Sequence, residues 1–231
     1  MKTESFSDKG IRGRNEDAYL TMNCIGGKTD IVQYGTGKQI SYSTGMDVGD
    51  FTMCIVSDGM GGLNNGDTAS LNTVAWFKDF AEDILNSDNI PNALRSQVTE
   101  VSAYVKKSVG GGATLAGILV FRNTVYAFST GDSKIFADCT DRKWDNHVHS
   151  VARTDSDGKT RYALAEYIGK EDPDCAIEVL ENCRRIVLCS DGLMPIYSEI
   201  ASDTDHTAEE FCRMALEKGS DDNVTAVVLR F

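Results

Sequence analysis

Four aspartates stand at the ends of four apolar, β-branched runs. Ser57-Asp58-Gly59 follows FTMCIV, Ser190-Asp191-Gly192 follows RRIVLC, Gly131-Asp132 follows TVYAFST, and Asp221-Asp222-Asn223 leads directly into VTAVVLRF. Asp and Gly are common turn residues, so each junction alone is explained as an ordinary glycine-assisted turn. As a set they carry a sharper meaning. If neighbouring strands end on one rim, four carboxylates converge, and like charges at close range are costly without a counter-ion. Hard oxygen donors of this kind suit Mg2+ or Mn2+ rather than Zn2+. A fifth segment, Arg12-Gly13-Arg14-Asn15-Glu16-Asp17, adds cations and two more acids just ahead of an early strand. An arginine fork matches a tetrahedral phosphate through paired hydrogen bonds, although the hexapeptide alone also reads as a solvated polar loop.

The elements that must position these acids are short strands and three helices. FTMCIV (51–56), TLAGILVF (114–121), TVYAFS (124–129), SKIFADC (133–139), RRIVLC (184–189) and VTAVVLRF (224–231) are apolar, β-branched and bounded by turn residues, which predicts strands. Residues 30–43 alternate around Gly35 and Gly37 and read as a hairpin. Leu71, Val74, Phe77, Ala81 and Ile84 share one face of a helix predicted over 67–85, and Leu94, Val98, Val101 and Val105 share one over 92–109. A third helix, 207–218, opens on the capping box Thr207/Glu210 and stops at Gly219. Strands before and after a helix pair, at mostly hairpin spacing, favour packed sheets covered by helices over a βαβ sheet. The expectation is an α+β layered sandwich in a single domain, 1–231, since three prolines and no Ser/Gly-rich linker leave nothing to divide it.

Composition narrows the partners. Lys and Arg total 23 against 35 Asp and Glu, a formal charge of −12. That balance argues against nucleic acid and against an anionic membrane surface, both of which select basic patches. Seven cysteines, none in a Cys-x-x-Cys pair, suggest neither a disulfide framework nor a zinc site. MKTESFSDKG lacks the apolar stretch of a signal peptide, and the longest apolar run, near 115–121, is too short to cross a bilayer. A cytoplasmic protein without membrane insertion is expected.

The ordered set RGRNED (12–17), VSDGMGG (56–62) with GDTAS (66–70), GGAT (111–114), TGDSK (130–134), LCSDGL (188–193) and SDDNVTAVV (220–228) resembles the metal-dependent Ser/Thr protein phosphatases of type 2C, the PPM family, in its bacterial branch. The match spans nearly the whole chain. It implies a four-layer α-β-β-α sandwich, two central and mostly antiparallel sheets flanked by helices, with two Mn2+ or Mg2+ ions at one edge. By position it implies that Asp58 bridges both ions and that the Gly59 carbonyl ligates one of them. Asp191 and Asp222 would complete the direct ligands. Glu16 and Asp17 would hold metal-bound waters, and Arg12 would grip substrate phosphate. Asp132, with Asp191, would form a third, weaker metal site, and Asn223 would be a polar neighbour. The implied activity is hydrolysis of phosphoserine and phosphothreonine in proteins by a metal-activated water, without a phosphoenzyme. The implied partners are phosphorylated targets of a Ser/Thr kinase.

The sequence also departs from that pattern. Met60 stands where many eukaryotic members carry a histidine proposed as general acid, and His147, His149 and His206 lie outside the motifs. The stretch between His149 and Gly169 is short for the family's flap. The 26–50 region is an insertion that either borders the cleft as a recognition surface or merely decorates the fold. These departures keep two other readings open, a non-catalytic phosphoprotein-binding module and a phosphatase for small phosphoesters. Gly26-Gly27-Lys28-Thr29 fails as a phosphate-binding loop because Met22 stands where glycine is required, and Asp155-Ser156-Asp157-Gly158 fails as a calcium loop because its glycine comes too early. The Gly110-Gly111-Gly112 run is expected to permit close backbone packing.

Overall fold

The computed structural model describes residues 1–60, 65–140, 142–146, 150–154, 160–202 and 205–231. Gly61 and Gly62 of the DGMGG segment, His147, His149 and the 155–158 segment lie outside the described residues. In chain order the elements are β1 (Lys2–Asp8), β2 (Asp17–Ile25), β3 (Lys28–Gly35), β4 (Lys38–Gly45), β5 (Phe51–Asp58), α1 (Gly66–Asp79), α2 (Ala81–Leu85), α3 (Ile90–Tyr104), β6 (Leu115–Phe121), β7 (Thr124–Thr130), β8 (Lys134–Cys139), β9 (Lys143–Asp145), β10 (Ser150–Thr154), β11 (Thr160–Leu164), β12 (Ala176–Leu180), β13 (Cys183–Cys189), α4 (Tyr197–Ser202), α5 (Ala208–Glu217) and β14 (Val224–Arg230).

The strands form a five-stranded sheet, β1-β14-β13-β8-β9, and a seven-stranded sheet, β12-β7-β6-β5-β2-β3-β4, with β10 and β11 as a separate hairpin. Every strand pairing among the described residues is antiparallel. Three apolar layers separate four layers of secondary structure. Leu20, Met53, Leu115 and Phe128 face α1–α3 residues such as Val74, Phe77, Leu94 and Val98. Tyr19, Val56 and Ile118 meet Ile135, Ile186 and Leu188 between the two sheets. Val187, Cys189 and Val228 pack under Phe211, Cys212 and Ile200 of the C-terminal helices. The expected α-β-β-α sandwich is present, and the near-continuous apolar runs of β5 and β13 follow from burial on both faces.

Two helices differ from the sequence reading. The helix expected over 67–85 breaks at Phe80, where φ −104° and ψ 14° leave the helical region. No Gly or Pro marks the spot; the Phe80 ring stacks on Trp76 at 4.6 Å. The helix expected over 92–109 starts earlier, because Asn89 caps it by accepting a hydrogen bond from the Asn92 N–H and Pro91 suits the first turn. Its last residues, Val105–Val109, wind as a π-turn that Gly110 ends at φ +73°. The Thr207/Glu210 capping box forms as expected. The hairpin closes through Thr36 and Gly37, both at positive φ, as a tight two-residue turn between β3 and β4 requires. All seven cysteines are buried and unpaired as disulfides. His206 is half-buried against Phe211. No helix among the described residues is long and apolar enough to cross a membrane.

The seven-stranded sheet depends on one missing side chain. A Cβ on Gly117 would lie 2.2 Å from Cζ of Phe128, whose ring is held against Phe77. Gly117→Ala is therefore expected to cost about 1–3 kcal/mol in urea unfolding, through overpacking at a site with no slack.

Candidate metal centre

Asp17 opens β2 and Asp58 closes β5, and the antiparallel register sets the two directly opposite. Two glycines let other chain segments close over them. A Cβ on Gly59 would stand 2.3 Å from the Gly66 carbonyl oxygen and 2.6 Å from that of Glu16. One on Gly192 would stand 1.8 Å from the Asn223 carbonyl oxygen. Neither glycine has positive φ, so both Asp-Gly junctions require glycine for close backbone approach rather than for a left-handed turn.

Hydroxyls and amides then fix the acids. The Asp58 N–H donates to Thr114 Oγ1 at 2.9 Å, the Thr114 N–H donates to the Asp58 carbonyl at 2.8 Å, and Thr114 Oγ1 shares a 2.6 Å hydrogen bond with Ser133. Asp17 Oδ2 accepts from Ser190 Oγ at 2.8 Å and from Thr225 Oγ1 at 2.6 Å. Asn223 ties down the 9–16 loop: its Oδ1 accepts from the Glu16 N–H at 2.8 Å, and its Nδ2 donates to the Lys9 and Arg14 carbonyls. Asn15 Oδ1 accepts from the Asp17 N–H at 3.1 Å. The sequence reading missed Thr114, Ser133, Ser190 and Thr225 and understated Asn223. The available signal was a hydroxyl at the end of an apolar run, since a buried hydroxyl needs a partner.

Burial and mutual repulsion act together on these carboxylates. Asp58 is pushed well above the usual carboxylate range, first by burial and then by Asp17, Asp191, Asp132 and Asp222. Burial raises Asp17 to about 7; the Thr225 and Ser190 hydroxyls oppose the shift, and Asp191 and Asp222 add to it. Asp191 is raised by burial and by Asp222, and Asp132 is raised to about 6 by burial and by Asp191. The Tyr197 phenol, which the sequence reading did not single out, is also pushed up by burial, with contributions from Asp191, Asp132 and Asp58. The strands therefore bring together the acids expected to meet.

The donor set fits a hard divalent cation. Asp17 Oδ1 and Asp191 Oδ1 are buried without a hydrogen-bond partner, two acceptors that a hard cation would satisfy. As the side chains stand, no three acidic, cysteine or histidine groups among the described residues already enclose a common point. One reason is Arg12, whose Nη2 donates to Asp222 Oδ2 at 2.8 Å while its Nε donates to the Asp221 carbonyl at 2.7 Å. A cation taking Asp222 through Oδ2 would compete with that guanidinium. Glu16 is held by Arg14, with Nε to Oε1 at 3.2 Å, and Arg14 also approaches Asp67 at 3.6 Å. The Met60 N–H donates to the Gly112 carbonyl at 2.9 Å and the backbone at Gly169 comes close to Gly111, whereas Gly110, at φ +73° with open space around it, serves the turn rather than close packing. The hairpin's Tyr34, Thr36 and Gly37 line a cavity of about 470 Å3 together with Arg14, Asn15 and Asp67, none of the clustered aspartates among its lining.

A sandwich of this topology, with acids gathered at one rim, defines a class. A family model for Protein phosphatase 2C matches residues 42–228, and the chain belongs to that family. Among curated relatives, the serine/threonine phosphatase stp of Listeria welshimeri is 26% identical over 208 residues, covering 76% of this chain and 82% of the relative. Among solved structures, the serine/threonine phosphatase of S. agalactiae superposes with a TM-score of 0.70 at 18% identity, over 100% of this chain and 99% of that one. The Mycobacterium tuberculosis serine/threonine phosphatase PstP/Ppp gives 0.67 at 22% identity, over 98% and 97%. These structures share the fold.

The raised pKa values have a signed consequence. Asp17 and Asp132 lie above their ordinary value when folded, so the stability they contribute is full below about pH 4 and lost as pH rises through about 6 to 7. In EDTA, the thermal midpoint is expected to fall as pH is raised from about 5 to about 7.5. Millimolar Mn2+ is expected to abolish most of that fall by supplying the counter-charge. Equal midpoints with and without Mn2+ at the higher pH would contradict the assignment.

Proposed function

We propose that the chain is a Mn2+- or Mg2+-dependent phosphoprotein phosphatase acting on phosphoserine and phosphothreonine. The observation that carries this reading is the direct opposition of Asp17 and Asp58 in the β2–β5 register, with Asp191, Asp132 and Asp222 close enough to shift them. Asp58, Asp191 and Asp222, with the Gly59 carbonyl, would hold two ions. Glu16 and Asp17 would hold their water shell, and Asp132 with Asp191 would offer a third, weaker position. When bound, the ions supply positive charge for the phosphoryl oxygens and a water acidic enough to attack at neutral pH.

The chain's own groups perform the remaining work. Arg12, half-exposed at the rim, would exchange Asp222 for the phosphoryl oxygens of the substrate, and its fork geometry would orient the phosphorus for in-line attack. Ser190 and Thr225 fix Asp17 through its Oδ2 and leave Oδ1 buried without a partner. Ser57 and Ser190 beside the cluster are committed to other hydrogen bonds, Ser57 Oγ to the Thr114 carbonyl at 2.7 Å and Ser190 Oγ to Asp17, and the cysteines are buried. That favours attack by water over a seryl or cysteinyl phosphoenzyme. With Met60 in the family's histidine position, the departing alkoxide would take its proton from water. Physiological substrates would be targets of a Ser/Thr kinase, a reading in keeping with the names of the curated relatives.

Phosphate release from a phosphothreonine peptide, run against free sugar phosphates, tests this. Turnover should need Mn2+ or Mg2+ and stop with EDTA. Asp191→Asn should lower kcat by about 100-fold or more. Arg12→Ala should lower kcat/KM by about 10- to 100-fold, the worth of a charge-assisted hydrogen bond to phosphate. Undiminished turnover in EDTA, or none by metal-loaded protein, would exclude the reading, and a preference for sugar phosphates would replace its substrate class.

A further inference from the structure

β8 leaves Asp132 behind and ends at Cys139, while β13 starts at Cys183 and runs toward Asp191. The two cysteines therefore sit at the end of the sandwich opposite the carboxylates, and the antiparallel register pairs them directly. Directly opposed residues on such strands have Cα atoms roughly 4.5–5.5 Å apart, within the roughly 4.4–6.8 Å that a disulfide spans. Their Sγ atoms are 2.9 Å apart, each facing the other in the core between the sheets. Cys183 also lines an open groove of about 610 Å3 with Met1, Asn182 and Phe231, which Cys139 does not reach.

We propose that Cys139 and Cys183 are a redox modification site that closes to an intramolecular disulfide when a peroxide enters through this groove. The Cys183 sulfur attacks one peroxide oxygen; the O–O bond breaks, leaving a sulfenic acid on Cys183 and releasing one water. The Cys139 sulfur then attacks the Cys183 sulfur. The S–S bond forms, the S–O bond breaks, and the hydroxyl leaves with the Cys139 proton as a second water. The two thiols together lose two electrons and two protons, and one peroxide is reduced to two waters. Burial pushes the Cys183 thiol up to about 12, which makes the thiolate scarce and the reaction slow at neutral pH. The cross-link would close the base of the 140–182 excursion, which carries β9 to β12 and contributes Asn182 to the groove.

Reduced protein incubated for hours with millimolar hydrogen peroxide, then denatured and titrated for thiols, should fall from seven thiols to five. Peptide mapping should find Cys139 joined to Cys183, and the intact mass should fall by two hydrogens. Closing a loop of about 45 residues should raise the thermal midpoint by about 5–15 °C. Cys183→Ala should retain its six thiols, Cys139→Ala should titrate five with Cys183 held as an oxygenated sulfur, and neither should show the rise. Seven thiols after oxidation, a link through any other cysteine, or an oxygenated Cys183 that never joins Cys139 would overturn the proposal. None of these readouts uses phosphatase activity, so this proposal and the catalytic one fail independently.

Discussion

Carboxylates buried together are the constraint around which this chain is arranged. Asp17 is closed off from solvent and stands opposite the partly exposed Asp58 across one strand pair, with Asp191 and Asp132 close by. In a medium of low dielectric, such a group either takes up protons or acquires a cation, and the raised pKa values express that choice. Arg12 supplies part of the missing charge through its contact with Asp222. The rest is consistent with a site for divalent ions.

The sandwich makes that concentration of charge tolerable. Asp17 and Asp58 come from the seven-stranded sheet, and Asp191 and Asp222 flank strands of the five-stranded one, so the site lies where the two sheets meet at one rim. Largely buried strands hold the acids in place, and hydroxyls at the strand ends fix their orientation. Ser190 and Thr225 satisfy one oxygen of Asp17 and leave the other free. Gly59 and Gly192 allow the neighbouring backbone to close in to distances that any side chain would forbid. Preorganisation of this kind lets charge act on a reacting phosphoryl group without rearrangement during the reaction.

Much of this was legible in the sequence. The apolar β-branched runs marked the core strands β5, β6, β7, β8, β13 and β14, and the alternation around Gly35 and Gly37 marked the hairpin. The aspartates were visible because each interrupts such a run at its end. What escaped depended on contacts distant in sequence. β1 and β12 are only half-buried edge strands, so their apolar pattern is weak and their partners decide their fate. The break at Phe80 falls where no Gly or Pro announces it, and the local sequence offers no breaker to read. Asn223 looked like a polar neighbour, yet it holds three backbone groups of a loop more than two hundred positions away. The opposition of Cys139 and Cys183 was invisible for the same reason: spacing alone does not reveal register.

The most direct test is to count bound metal. Equilibrium dialysis against Mn2+ at about pH 7.5, where the carboxylates of the cluster must otherwise remain protonated or repel one another, should find two ions per chain. Asp58→Asn, which keeps the side chain's size but removes the charge at the centre of the cluster, should hold fewer than one while still unfolding cooperatively. Equal stoichiometry in the two proteins would contradict the account.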